Sequence, residues 1–179
     1  MAQNAVAQKA DEFARYFVAR RDPVRRTAYL LCGDWHWADD LTQVAFVRLA
    51  AAWDRVRDPG AMDAVVRTCL LRAYISETRR VWRRREQAMA SAPEHGVDDI
   101  GPVAGRLDLM EALRGVPPRQ RATLVCRFYQ GLDVEETAAA LGCSPGTVKS
   151  QTARGLATLR RLLGEKTFDE RVEREEVAS

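Results

Sequence analysis

The chain has 179 residues, of which 46% are apolar and 30% are charged, and its formal net charge is +3. This length suits one or two small domains, and the apolar share is enough for a real core. The modest net charge alone does not identify a protein that binds polyanions. No stretch approaches the ~18 uninterrupted apolar residues of a membrane span, and the N-terminus lacks the apolar core of a signal peptide. We therefore expect a cytoplasmic protein that makes no contact with membranes.

The four cysteines predict neither a metal site nor disulfides. Cys32, Cys69, Cys126 and Cys143 are widely spaced, with no C-x-x-C pair and no histidine cluster nearby. This spacing does not match the usual zinc patterns, and disulfides are rare in a reducing compartment. We expect small buried or half-buried residues at these positions. No cofactor or metal is indicated, and neither of the two histidines has a nucleophile or carboxylate partner that would suggest catalysis.

Helical spacing dominates the chain, and the predicted fold class is all-α. Residues 1–87 are predicted to form four helices. The first ends at Arg21, and Pro23 starts the second, because proline is tolerated at the first helical position. Asp34 is expected to cap the third helix, whose apolar residues recur at four-residue intervals. A breaker at residues 58–60 separates the third helix from the fourth.

The second half of the chain is predicted to be a separate small helical domain. Residues 88–106 are rich in Ala, Gly, Pro and Asp and lack an amphipathic period, which predicts a flexible linker. In the domain that follows, residues 107–164, we expect a helix that turns Phe128 inward and ends at Gly131. The charged tail, residues 165–179, is expected to be a frayed helix or disordered.

Residues 133–163 have the pattern of a helix-turn-helix. Ala138 is small where two helices must approach closely, and Gly142 can adopt the positive φ of the turn. Ser144 is a good N-cap and is followed by proline at the first helical position, while Val148 would bury one face of the second helix. The outward residue types of that helix bond phosphates or base edges. The motif therefore predicts contact with duplex DNA.

A second candidate for DNA contact is the run at residues 79–85, where five arginines surround Trp82. Tyr74 precedes it by less than three turns. Arginine forks bind phosphate oxygens, and aromatic faces stack on exposed bases. A solvated helix end with favourable charge–dipole interactions is the alternative. So many arginines beside a tryptophan favour nucleic acid, and in particular DNA that is partly opened.

These segments together resemble a bacterial RNA polymerase sigma factor. The resemblance is carried by DDLTQVAF, by PGAMDAVVRTCLLRAYISETRRVWRRRE and by LRGVPPRQRATLVCRFYQGLDVEETAAALGCSPGTVKSQ, and it covers residues 13–87 and 107–163. The type is the small two-domain, extracytoplasmic-function kind (sigma-70 family, group 4), similar to the SigE family. The resemblance implies sigma region 2 over residues 1–87 and sigma region 4 over residues 107–164, and a dissociable subunit with no enzymatic activity of its own.

The resemblance also implies three sets of site residues. The helix around the DLTQ motif would dock on the β′ clamp helices of core RNA polymerase through Asp39, Asp40, Leu41, Gln43 and Phe46. The −10 element of promoter DNA would be contacted and melted by Arg67, Arg72, Tyr74, Arg79, Arg80, Trp82 and Arg83. The second domain would rest on the polymerase β flap and contact the −35 element through Thr147, Lys149, Ser150, Gln151 and Arg154.

Two positions depart from the family pattern. Arg72 stands where asparagine is usual, and Ala153 stands where some relatives have a bulky side chain, so base preferences at the two elements are not transferred. An anti-sigma factor is expected as a regulatory partner. The alternative function is a free-standing helix-turn-helix regulator that acts without core polymerase, its first half serving dimerisation or ligand sensing. Such a regulator has no need of the arginine run beside Trp82.

Overall fold

The computed structural model describes residues 2–56, 58–89 and 109–164, which form helices and turns with no strand. Within these residues the α-helices are, in chain order, α1 (Ala2–Cys32), α2 (Trp35–Ala52), α3 (Met62–Met89), α4 (Leu109–Gly115), α5 (Pro118–Leu124), α6 (Val134–Leu141) and α7 (Pro145–Leu163). The predicted all-α class is confirmed. The predicted linker, apart from the end of α3, and the predicted C-terminal tail lie outside the described residues.

The first two predicted helices form one helix, because Pro23 lies inside α1 and not at the start of a new helix. Proline there lacks an N–H, so the carbonyl of Ala19 loses its helical donor. Both residues are exposed, which leaves that carbonyl accessible to water. Apolar residues before and after the proline, such as Phe17 and Leu31, pack on the same core. This packing outweighs the local cost, and the prediction of a helix end at Arg21 is wrong.

The start of α2 follows the prediction. Asp34 has extended backbone angles, and its side chain accepts a hydrogen bond from the backbone N–H of Trp37 at 2.8 Å. This satisfies one of the donors that the first turn of a helix leaves unpaired. The apolar face of α2 then packs between α1 and α3, with Leu41 at 3% exposure and Leu49 fully buried. These three helices form the core of the first half.

The helix-turn-helix is formed by α6 and α7. Asp133 and Glu136 form a reciprocal capping box at the start of α6, and Gly142 ends that helix with φ +64°. The hydroxyl of Ser144 accepts a hydrogen bond from the N–H of Thr147 at 3.1 Å, which starts α7. Val148 is fully buried. The predicted turn and caps are therefore confirmed.

The helix before this motif differs from the prediction at Phe128. After Leu124, α5 passes into one π-helical turn, Val125–Tyr129. A π turn inserts an extra residue and shifts the phase of the side chains that follow. Cys126 is directed inward, at 1% exposure, while Phe128 is 59% exposed. The prediction that Phe128 points inward is wrong, whereas Gly131 ends the segment at φ +66° as expected.

The two halves pack directly on each other. Leu71 and Tyr74 of α3 belong to the same hydrophobic cluster as Ala122 and Val125 of the second half. Polar contacts reinforce this packing. They include a hydrogen bond from Gln130 Nε2 to Thr27 Oγ1 at 2.8 Å, one from Arg121 Nη1 to the carbonyl of Leu31 at 2.7 Å, and one from Arg114 to the carbonyl of Gly33.

Candidate functional site

One side of α2 is open to solvent and carries both polar and apolar residues. Asp40, Gln43, Val44 and Val47 have the spacing i, i+3, i+4 and i+7, which places them on one helix face; we call them the α2 stripe. All four are exposed, with Val44 at 40% and Val47 at 64%. Exposed valines grouped with polar residues are typical of protein–protein contact surfaces.

The residues predicted to bind polymerase divide between the α2 stripe and the core. Asp40 and Gln43 lie in the stripe, while Leu41 and Phe46 are each 3% exposed. In this arrangement the two buried side chains contact the other helices and not a partner. Their contribution is to hold α2 in place, so that the stripe is presented on a fixed helix.

Asp39 is engaged in an ion pair within the protein. Arg25 binds its two carboxylate oxygens at 2.5 and 2.9 Å, and the guanidinium also lies 4.5 Å from the ring centroid of Trp35. The hydrogen bond from Arg25 lowers the pKa of Asp39. Asp40, by contrast, has no hydrogen bond or ion pair with any described residue, which leaves its carboxylate available to a partner.

The seven residues predicted to contact the −10 element do not share one surface. Tyr74 is 1% exposed and lies 6.0 Å from Trp37, ring centroid to ring centroid. Burial raises the pKa of Tyr74 to about 12. Tyr74 is therefore a core residue in this structure, and its side chain cannot contact DNA here. Arg67 is half-buried, whereas Trp82 is 66% exposed.

The remaining four arginines of that set lie along one side of α3, facing the second half of the molecule. Together with Arg119 of α5 they line a cavity of about 240 Å³, which we call the arginine cleft. Its charged lining residues are Arg72, Arg79, Arg80, Arg83 and Arg119. The opposite wall includes Thr147 and Gln151, at the start of α7. Some of the residues predicted for each of the two promoter elements therefore meet in one cleft.

The five residues predicted for the −35 element lie in the first half of α7. Lys149, Ser150 and Arg154 are exposed, as a DNA-contacting helix face requires. Thr147 and Gln151 are half-buried and line the arginine cleft. In this arrangement the exposed three are open to a large partner such as duplex DNA, while the other two face α3.

Three residues of these surfaces were not predicted from the sequence. Val44 and Val47 share a helix face with Asp40. The sequence signal for them was the presence of two apolar residues on an otherwise polar helix face. Arg119 enters the arginine cleft only because the two halves pack together. No local pattern indicates that contact.

The described residues contain no group of three His, Cys, Asp or Glu side chains that could hold a metal ion. Nor does any helix among them have the length and apolar character needed to cross a bilayer. Cys32 and Cys126 are buried, and Cys69 and Cys143 are half-buried. The expected environment of the four cysteines is therefore confirmed.

Comparison with known proteins identifies the family. Sigma-70 region 2 matches residues 17–84, and sigma-70 region 4 matches residues 106–159. The chain is 40% identical to the RNA polymerase sigma-E factor of Streptomyces avermitilis, over 92% of this chain and 93% of that protein. It is 34% identical to the ECF RNA polymerase sigma factor SigE of Mycolicibacterium smegmatis, over 83% of this chain and 60% of that protein.

A solved structure agrees with this assignment. The sigma factor RpoE in complex with the anti-sigma factor NepR, from Bartonella quintana, superposes with a TM-score of 0.65 and 26% sequence identity. The match covers 85% of this chain and 96% of that chain. The chain therefore belongs to the sigma-70 family of RNA polymerase sigma factors and contains both region 2 and region 4.

Proposed function

We propose that this sigma factor binds core RNA polymerase through the α2 stripe, directs it to specific promoters and opens the DNA at the −10 element. The observation that carries the proposal is the presence of two DNA-suited surfaces beside a separate partner surface on one chain. The arginines of α3 with Trp82 suit melted DNA, and the exposed face of α7 suits a duplex. Phosphodiester chemistry belongs to the core enzyme, so the chain acts without catalysis, at the polymerase inside the cell.

The α2 stripe supports the polymerase contact. Its valines offer apolar area that a protein partner can bury, at about 1.5 kcal/mol or more for each side chain fully removed from water. Asp40 and Gln43 can supply polar contacts at the edge of that apolar area. By the resemblance of the DLTQ motif, we assign the coiled coil of the polymerase β′ clamp as the partner surface.

A matched pair of substitutions tests this contact. Val47→Asp places a charge at the more exposed of the two stripe valines, and we expect core binding to weaken at least tenfold, or about 1.4 kcal/mol. Val18→Asp is the control, because Val18 is 77% exposed on α1 and lies outside the stripe. Both substitutions are at exposed positions and should leave the fold intact. Equal core affinity of the two variants in gel filtration and fluorescence titration would refute the assignment.

We assign the exposed face of α7 to the −35 element. Lys149 and Arg154 would neutralise phosphates or bond base edges, and Ser150 lies between them on the outer face. Replacing Lys149 by alanine should weaken promoter binding by the reconstituted holoenzyme. If the contact is to phosphate, the slope of log affinity against log salt should fall by about one. Arg161→Ala, at the exposed far end of α7, is the control and should change neither quantity.

A regulator that binds DNA without polymerase is the competing function. It would protect an operator unaided in a footprinting experiment, whereas a sigma factor protects promoter DNA only with core enzyme. The arginines and Trp82 of α3 favour the sigma factor, since a dimerisation or sensing module does not require them. Because the similar RpoE forms a complex with NepR, we also propose that an anti-sigma factor regulates this chain by covering its polymerase-binding and DNA-binding surfaces.

A further inference from the structure

We propose that the arginine cleft is a binding site for a short chain of linked phosphate groups, held between the two halves of the molecule. Four of its arginines come from α3, and the fifth, Arg119, comes from α5. This site requires only that the two halves are packed as described. It does not depend on the assignment of the polymerase contact.

Carboxylates of the described residues balance little of the positive charge of the cleft. No carboxylate is among the residues that line it. Arg80 lies 3.5 Å from Glu77 in an exposed ion pair along α3, and such pairs are weak. No carboxylate of the described residues forms an ion pair with any of the other four arginines of the lining. Positive charges brought together in this way attract a compact ligand of several negative charges, and guanidinium forks match phosphate oxygens in geometry.

The size of the cleft limits what can occupy it. Its volume is about 240 Å³, somewhat below the ~300 Å³ at which pockets for small organic molecules begin. Two or three linked phosphates suit this space, whereas a DNA duplex does not. The hydroxyl of Thr147 and the amide of Gln151 also line the cleft. They can donate further hydrogen bonds to phosphate oxygens.

A ligand in the cleft would contact both halves at once. It would bind the packed arrangement better than any arrangement in which the halves are apart, and it would therefore favour the packed one. It would also occupy Arg79, Arg80 and Arg83, which we assign to promoter DNA. A linked phosphate chain and the −10 element would then compete for the same side chains.

Isothermal titration of the full-length protein with sodium tripolyphosphate at low salt tests the site. We expect one ligand per chain. Arg119→Gln and Arg83→Gln should each weaken binding about tenfold, which is typical for loss of a charge-assisted hydrogen-bond pair. Arg84→Gln is the matched control. Arg84 is the adjacent exposed arginine on α3 but does not line the cleft, and its loss should change the affinity less than twofold. Thermal melting of each variant checks the fold.

Three results would overturn the proposal. If Arg84→Gln weakened binding as much as Arg83→Gln, or if Arg119→Gln kept the wild-type affinity, the attraction would be a diffuse property of the arginine run. If orthophosphate bound as tightly as tripolyphosphate, no site for a linked chain would exist. Titration with a nucleoside triphosphate distinguishes the two sources of a phosphate chain, a nucleotide and inorganic polyphosphate. If the nucleoside triphosphate binds as tightly as tripolyphosphate, the site is assigned to the phosphate chain of a nucleotide. If it binds more weakly, the site is assigned to inorganic polyphosphate.

Discussion

Replacing Arg121 by methionine should destabilise the whole molecule and not the second half alone. The Arg121 side chain is 8% exposed. It donates hydrogen bonds to the carbonyl of Leu31 at 2.7 Å, to that of Arg114 at 2.6 Å and to that of Val116 at 3.0 Å. No carboxylate of the described residues forms an ion pair with it. Burial lowers the pKa of Arg121, because it disfavours the charged guanidinium. The backbone carbonyls that accept its hydrogen bonds compensate this charge.

The size of the effect follows from these partners. A buried acceptor left without a donor costs about 1–3 kcal/mol, and Arg121→Met leaves the buried carbonyls of Leu31 and Val116 in that position. Removing the buried guanidinium also removes its own desolvation cost, which offsets part of the loss. We expect the free energy of unfolding to fall by about 3 kcal/mol, which at typical urea slopes lowers the midpoint by roughly 1–2 M.

Urea unfolding followed by two signals tests this expectation. Circular dichroism reports on all helices, whereas tryptophan fluorescence reports on the first half, because the four tryptophans all lie within residues 35–82. Both signals should shift together, since the acceptor at Leu31 belongs to α1. Arg119→Met is the control, because Arg119 lies two residues before Arg121 and is exposed. The free energy of unfolding of this variant should stay within about 0.5 kcal/mol of wild type. An Arg121→Met protein as stable as the control, or a shift in circular dichroism without one in fluorescence, would refute the reasoning.

Two further substitutions test the packing of the second half and the pH dependence of stability. Gly155→Ala would place a Cβ 3.1 Å from Leu124. We expect a net loss of about 1 kcal/mol, because overpacking exceeds the gain in helix propensity. Gly146→Ala, with nothing nearer than 3.8 Å, should instead gain a few tenths of a kcal/mol, and equal unfolding midpoints of the two variants would contradict this. Burial raises the pKa of Cys126 from 9.0 to about 11, so the thiol loses its proton at lower pH in the unfolded chain than in the folded one. The free energy of unfolding should therefore fall as pH rises from 9 to 11, by about 1 kcal/mol per pH unit. Cys126→Ala should reduce that slope, and an unchanged slope would argue against the buried thiol as a cause.

The features that the sequence predicted correctly are those decided by local chemistry. Gly142 is suited to the left-handed turn between α6 and α7, and Ser144 caps the helix that follows with its own hydroxyl. Asp34 caps α2 in the same way. Such contacts join residues three or four positions apart, so a residue type at a given spacing is enough to indicate them.

The features that the sequence did not predict depend on packing between distant segments. Pro23 was expected to start a helix, but core contacts on both sides of it keep α1 continuous. Tyr74 was expected on a DNA surface and is buried, because the second half covers that side of α3. Arg119 reaches the arginine cleft for the same reason. None of these outcomes has a local signal.

The most direct test of the central claim is transcription by core RNA polymerase with and without the purified protein on fragmented genomic DNA, with the 5′ ends of the products sequenced. We expect new start sites that appear only when both components are present, preceded by two shared sequence elements at a fixed spacing. Val47→Asp should strongly reduce transcription from these start sites, and Val18→Asp should leave it unchanged. The absence of new start sites, together with protection of a DNA site by the protein alone, would contradict the account and identify a free-standing regulator.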